Sequence, residues 1–213
     1  MPTDVTIANM ALSRLGTQAT IADLTENSTE ARVLSVWYET VRDDLQGMMD
    51  WNFNRVTRAL SQSGTPPSRW AYSYAYPADC LKVWRLDFSS AYWEWPDPVA
   101  PFEIGSDGTN SFLYCNETVV EAVLLQRVTD PNRFSSAFVL AFADSLAAVI
   151  AYPITQKRDV AAQLQQVASA RLEQAMVDSA NEQGGRNRLP EAESLRVRGF
   201  DDRLSYWPES IYR

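Results

Sequence analysis

The chain has 213 residues, of which 46% are apolar and 22% charged, and its net charge is −8. That is enough for one domain, or one domain with an appendage, and too apolar for disorder. Histidine is absent and cysteine occurs only at Cys80 and Cys115, which excludes His-based triads, His–Cys dyads, His-ligated metals and CxxC redox pairs. An acidic chain is also not drawn to nucleic acid or to acidic membranes by bulk charge.

Met1-Pro2-Thr3-Asp4 shows no basic start to a secretory signal, so the expected setting is a reducing cytoplasm with both cysteines as thiols. Without a secretory signal, the sequons at Asn27-Ser28-Thr29 and Asn116-Glu117-Thr118 are read as coincidental. The most apolar stretch, Ala137 to Tyr152, has Asp144 inside it and is shorter than the ~20 residues that span a bilayer.

The first ~50 residues predict two helices that pack as a hairpin. Val5, Ala8, Leu12 and Leu15 form the first apolar stripe, and Gly16 stops it. The second helix opens at Asn27 or Ser28, with Asn27 and Glu30 as a capping box. Ala31, Leu34, Tyr38, Val41, Leu45 and Met48 then line one face.

From Trp51 to about Thr129 the composition turns to aromatic and β-branched residues with Pro and Gly. Strands are predicted at Phe53–Leu60, Trp70–Tyr76, Leu81–Phe88, Ser111–Cys115 and Val119–Val128, forming one small, mostly antiparallel sheet. Asp130-Pro131 reads as the start of a third helix, apolar nearly all round and broken by Pro153. Val160, Leu164, Val167, Ala168, Leu172, Ala175 and Met176 mark a fourth helix that ends before Gly184-Gly185.

Gly185 to Arg213 is different, with six Arg, five Asp or Glu and the aromatics Phe200, Tyr206, Trp207 and Tyr212. It has no lasting period but carries large apolar anchors, the pattern of an arm that orders on a partner. The expected fold is therefore α+β. About four long helices form a bundle over 1–185, with a small β-sheet between helices 2 and 3 at about 51–129, and an extended arm follows at 186–213.

Few residues suggest chemistry. Tyr92-Trp93-Glu94-Trp95-Pro96-Asp97, with Glu103 behind it, places aromatics beside carboxylates, as glycan binding or hydrolysis requires. The simpler alternative is a loop tip that packs on a neighbour. Asp144 is expected to pair with an Arg or to face a thin strip of solvent, and Arg55, Arg58 and Arg69 to form ion pairs within the chain or with an acidic partner. Cys80 and Cys115 are expected as small core residues. No phosphate-binding loop is present, and no cofactor or metal is expected.

One ordered set of motifs resembles a known family. Ile7-Ala8-Asn9-Met10-Ala11-Leu12-Ser13-Arg14-Leu15-Gly16 is followed by Ile21-Ala22-Asp23-Leu24-Thr25-Glu26-Asn27-Ser28-Thr29-Glu30-Ala31-Arg32. Then come Arg42-Asp43-Asp44-Leu45, Trp51-Asn52-Phe53 and Tyr76-Pro77-Ala78-Asp79-Cys80-Leu81-Lys82-Val83. Their order and separations over about residues 5–85 resemble the head-to-tail adaptors of short-tailed phages, also called tail tubular protein A. Asp50 stands where that family often has Pro, and Asn54 where it often has a small residue.

The resemblance implies a structural virion protein rather than an enzyme. Such a protein forms a ring of about twelve subunits between the portal protein and the tail nozzle. It is assembled in the host cytoplasm, involves no membrane, and passes DNA through its channel without specific binding. On that implication, Phe200, Tyr206, Trp207 and Tyr212 of the arm are expected to bind the portal. Tyr92, Trp93, Glu94 and Trp95 are expected to face the tail or a neighbouring subunit. The alternative is a tail-associated glycan hydrolase or carbohydrate-binding protein using Trp93, Glu94, Trp95 and Asp97, with Glu103 as a further carboxylate.

Overall fold

A computed structural model of the chain describes residues 2–88, 101–116, 118 and 120–182. The arm and the loop of Tyr92, Trp93, Glu94, Trp95 and Asp97 lie outside them, as do Phe200, Tyr206, Trp207 and Tyr212. In chain order the described residues form α1 (Asp4–Arg14), α2 (Thr29–Met48), six strands, a 3-10 turn (Pro131–Arg133), α3 (Ser136–Thr155) and α4 (Arg158–Glu182). The class is mixed α+β.

Local chemistry sets the helix ends. The Thr3 hydroxyl accepts the Thr6 N–H at 3.1 Å and opens α1. Gly16 follows its end at φ +71°, a conformation that favours glycine. Ser28 alone caps α2, accepting the Ala31 N–H at 3.2 Å, so the expected Asn27–Glu30 box is not the device used. Asp130-Pro131 starts only a 3-10 turn. α3 begins five residues later, where the Ser135 hydroxyl accepts from the Phe138 N–H.

Pro153 does not break α3. It falls in the last turn, where one missing N–H costs little regularity, and the helix stops only at Gln156, whose φ of 57° is left-handed. The two residues Gln156 and Lys157 then reverse the chain, so α3 and α4 are the tightly packed helical pair. α1 and α2 do not make the expected hairpin. The long segment between them lets each dock chiefly on α3, and they meet where Tyr38 Oη donates to Asp4 Oδ1 at 2.9 Å.

The helical core centres on α3, where Phe138, Ala141, Phe142, Leu146, Ala147 and Ile150 are buried. Phe138 lies 4.9 Å from Trp51, 4.8 Å from Phe53 and 5.0 Å from Phe134, centroid to centroid. Such tilted and edge-on pairs contribute about 0.5–1.5 kcal/mol each beyond burial. α3 is long and apolar enough to cross a membrane by length and composition, yet α1, α2 and α4 pack along it. Two stripe assignments shift: Met48 and Val167 are exposed, 43% and 50% respectively. α4 instead turns Ala168, Ala175 and Ser179 inward, with Ala161, Leu164, Leu172 and Met176 partly covered.

The strands make two antiparallel sheets rather than one. The first has order β1 (Arg55–Ala59), β6 (Val120–Gln126), β3 (Cys80–Phe88), with Arg55 opposite Leu125 and Val83 opposite Leu124. The second has order β2 (Tyr72–Ala75), β5 (Ser111–Cys115), β4 (Glu103–Ser106), with Tyr74 opposite Leu113. β4 is absent from the sequence-based expectation because Glu-Ile-Gly-Ser has no alternating apolar pattern. The sheets enclose a second core of Tyr74, Val83, Leu86, Leu113, Cys115, Ala122 and Leu124.

Candidate functional site

The Trp51-Asn52-Phe53 motif lies at the junction between helices and sheets. α2 ends at Met48, leaving last-turn carbonyls without helical partners. Trp51 Nε1 donates to Leu45 O and Asn54 Nδ2 to Gln46 O, both at 2.8 Å. The Trp51-Asn52-Phe53-Asn54 turn thus closes the helix with side chains. Asn52 Nδ2 reaches Glu182 Oε2 at 2.8 Å and Ser179 O at 3.3 Å, tying in the end of α4.

Gln46 is the centre of this junction. It is fully buried, and its amide bonds both backbone groups of Val128, donating to the carbonyl and accepting from the N–H, each at 2.8 Å. The Gln126 N–H donates to Asn54 O at 2.8 Å. The sequence gives no signal for Gln46, because a glutamine beside an apolar stripe reads as a surface residue. The Asn54 Oδ1 is buried with no hydrogen-bond partner among the described residues. Asp50 pairs with Arg55 at 3.0 Å in the same turn.

The Tyr76-Pro77-Ala78-Asp79 motif does similar work at the end of the first sheet. Asp79 accepts both terminal nitrogens of Arg58 at 3.1 Å and Gln126 Nε2 at 2.8 Å. The Arg58 bond holds its carboxyl below the usual range. Burial pushes the Cys80 thiol up from its ordinary value and the Tyr76 hydroxyl likewise, helped by its contact with Cys80 Sγ at 3.5 Å. Cys80 and Cys115 are both thiols and belong to different sheets.

The remaining motif residues are also architectural. The Asn9 amide clamps Ile21, donating to its carbonyl at 2.9 Å and accepting its N–H at 2.8 Å. Asp43 joins Arg42 at 2.9 Å to Arg127 at 2.8 Å. Burial raises the Tyr38 hydroxyl pKa well above normal, and the Asp4 carboxylate adds to the effect.

The described arginines and carboxylates singled out in the sequence, Asp144, Glu103, Arg55, Arg58 and Arg69, are engaged within the chain. Asp144, 3% exposed, meets Arg14 Nε at 2.7 Å and Arg171 Nε at 3.5 Å, joining α1, α3 and α4. Arg58 pairs with Asp79 as above, and Arg69 with Glu103 at 3.6 Å. Glu103 also accepts Trp70 Nε1 at 2.8 Å. Of the carboxylates weighed for glycan chemistry it alone is described, and it is already bonded to an indole and a guanidinium. Among the described residues no group of three or more Cys, Asp or Glu could hold a metal ion.

No protein-family model matches the chain, and no curated protein matches it. The described residues therefore show a clamped helix–sheet framework whose conspicuous polar groups bond one another.

Proposed function

We propose that the chain is a structural head-to-tail adaptor of a short-tailed phage, not an enzyme. In this reading it is a helical bundle with an inserted β region, and about twelve copies form a ring. The ring lies between portal and tail nozzle at the head–tail junction and extends the DNA channel, helping to retain and release the genome. The observation that carries the reading is the ordered motif set over residues 5–85. Its residues Asn9, Ser28, Asp43, Trp51 and Asp79 serve as caps and clamps. Motif residues that serve the architecture fit a protein whose work is to hold a shape.

The charge supports the same reading. A wall of net charge −8 passes DNA without gripping it, because basic contacts add sequence-independent affinity. The arm, with Phe200, Tyr206, Trp207 and Tyr212, grips the portal. Docking that needs the assembled portal surface makes assembly sequential. Tyr92, Trp93, Glu94 and Trp95 face the tail or the neighbouring subunit. Deleting residues 186–213 should abolish binding to portal-bearing heads while leaving the thermal unfolding transition within a few degrees of the full chain. Full binding by the truncated chain would refute the assignment of the arm.

A further inference from the structure

Asp107-Gly108 is the only Asp-Gly pair in the chain, and no Asn-Gly pair occurs. Asp-Gly is the aspartyl sequence most prone to isomerise, because glycine has no side chain to keep its backbone nitrogen from the aspartyl Cγ. That nitrogen attacks the protonated carboxyl and gives up its proton, and the hydroxyl leaves as water, which closes a succinimide ring. A water molecule then reopens the ring. Opening at the main-chain carbonyl of Asp107 leaves the backbone running through the side chain as isoaspartate, one methylene longer, with the free carboxylate on Cα. No oxidant or reductant takes part.

The fold nonetheless requires this pair. It sits in the turn between β4 and β5, where Ser106 stands opposite Ser111. Gly108 has φ +93°, which other residues adopt only with strain. Asp107 closes the turn, with Oδ1 accepting the N–H groups of Thr109 at 2.8 Å and Asn110 at 2.7 Å. Its own N–H donates to Asn110 O at 3.1 Å. The bonds from Asn110 and then Thr109 hold the carboxyl below its ordinary range, so less of it is in the protonated form open to attack. The nucleophile is held too. The Gly108 N–H donates to Ser106 Oγ at 3.1 Å, and that hydroxyl donates in turn to Asn110 O at 2.9 Å.

We propose that Asp107-Gly108 is a latent isomerisation site that the turn holds inert, with the Ser106 hydroxyl as the guard on the Gly108 nitrogen. The same bonds serve two ends: they set the β4–β5 register, and they withhold both reacting groups. Isomerisation removes the Oδ1 acceptor and lengthens the turn, which undoes the pairing of β4 with β5 and frees the strand that begins at Glu103.

The test follows isoaspartate at position 107 by peptide mapping of the full chain, aged either folded in buffer or unfolded in guanidinium chloride. Near-UV circular dichroism verifies which samples are folded. Wild type should isomerise many times more slowly folded than unfolded. S106A should isomerise several-fold faster than wild type when folded and at the same rate when unfolded. S106T, which keeps the hydroxyl, should age like wild type in both states and serves as the test if S106A does not fold. Equal rates for folded and unfolded wild type would overturn the proposal outright. Folded S106A ageing like wild type, or folded S106T ageing several-fold faster, would overturn the role of the hydroxyl.

Discussion

The helical body and the β region are held together by different means. The body has one continuous apolar core around α3, with buried charges at Asp144 and Arg42, each paired. The β region has a far smaller core between two three-stranded sheets and depends on polar clamps at its ends. The comparison teaches that the junction through Gln46 and Asn54 seats the β region on the helices, while Asp79 ties β1 to β6 within the first sheet.

The largest effect should come from the body. Phe138→Ala removes the ring that touches Trp51, Phe53 and Phe134 and should cost about 3–5 kcal/mol. Urea unfolding would report it, and a loss below about 1 kcal/mol would mean that the core repacks freely. At the junction, Gln46→Ala strands both backbone groups of the buried Val128. At roughly 1–3 kcal/mol for each of the two unsatisfied groups, it should cost about 2–6 kcal/mol. If the β region is seated through this amide, hydrogen exchange in β1 and β6 should rise more than exchange in α3. Uniform acceleration would contradict the comparison.

The smallest effect concerns pH. The folded pKa of Asp79 is depressed by Arg58, so its contribution is present above the unfolded value of about 3.9 and is lost as pH falls through the lower folded value. Its side chain is 42% exposed, so solvent screening keeps the effect below about 1 kcal/mol. The stability difference between wild type and Asp79→Asn should therefore shrink as pH is lowered from 5 to 2. A difference that stays constant would mean that the Arg58 pair contributes nothing through its charge.

Much of this architecture was legible from residue spacing. The four helices follow from their apolar periods, five strands from β-branched runs between turns, and the Asp144 ion pair from its isolation in an apolar helix. What was not legible depended on tertiary context. Asp130-Pro131 has the chemistry of a helix start, but Ser135 supplies the cap that α3 uses. Val167 fits the α4 stripe by spacing, yet packing on α3 selects Ala168 and Ala175, whose small side chains allow close approach. β4 has no apolar alternation and exists because β5 offers it an edge. Of the candidate sites, Glu103 proved to be bonded by Trp70 and Arg69, contacts that no local pattern encodes.

The most direct test of the adaptor reading is the copy number of this chain in intact particles, measured by quantitative mass spectrometry against the major capsid protein. The account predicts about twelve copies, matching the ring, and their loss from heads that carry a portal but no tail. No copies, or a number far from that of the portal, would contradict it.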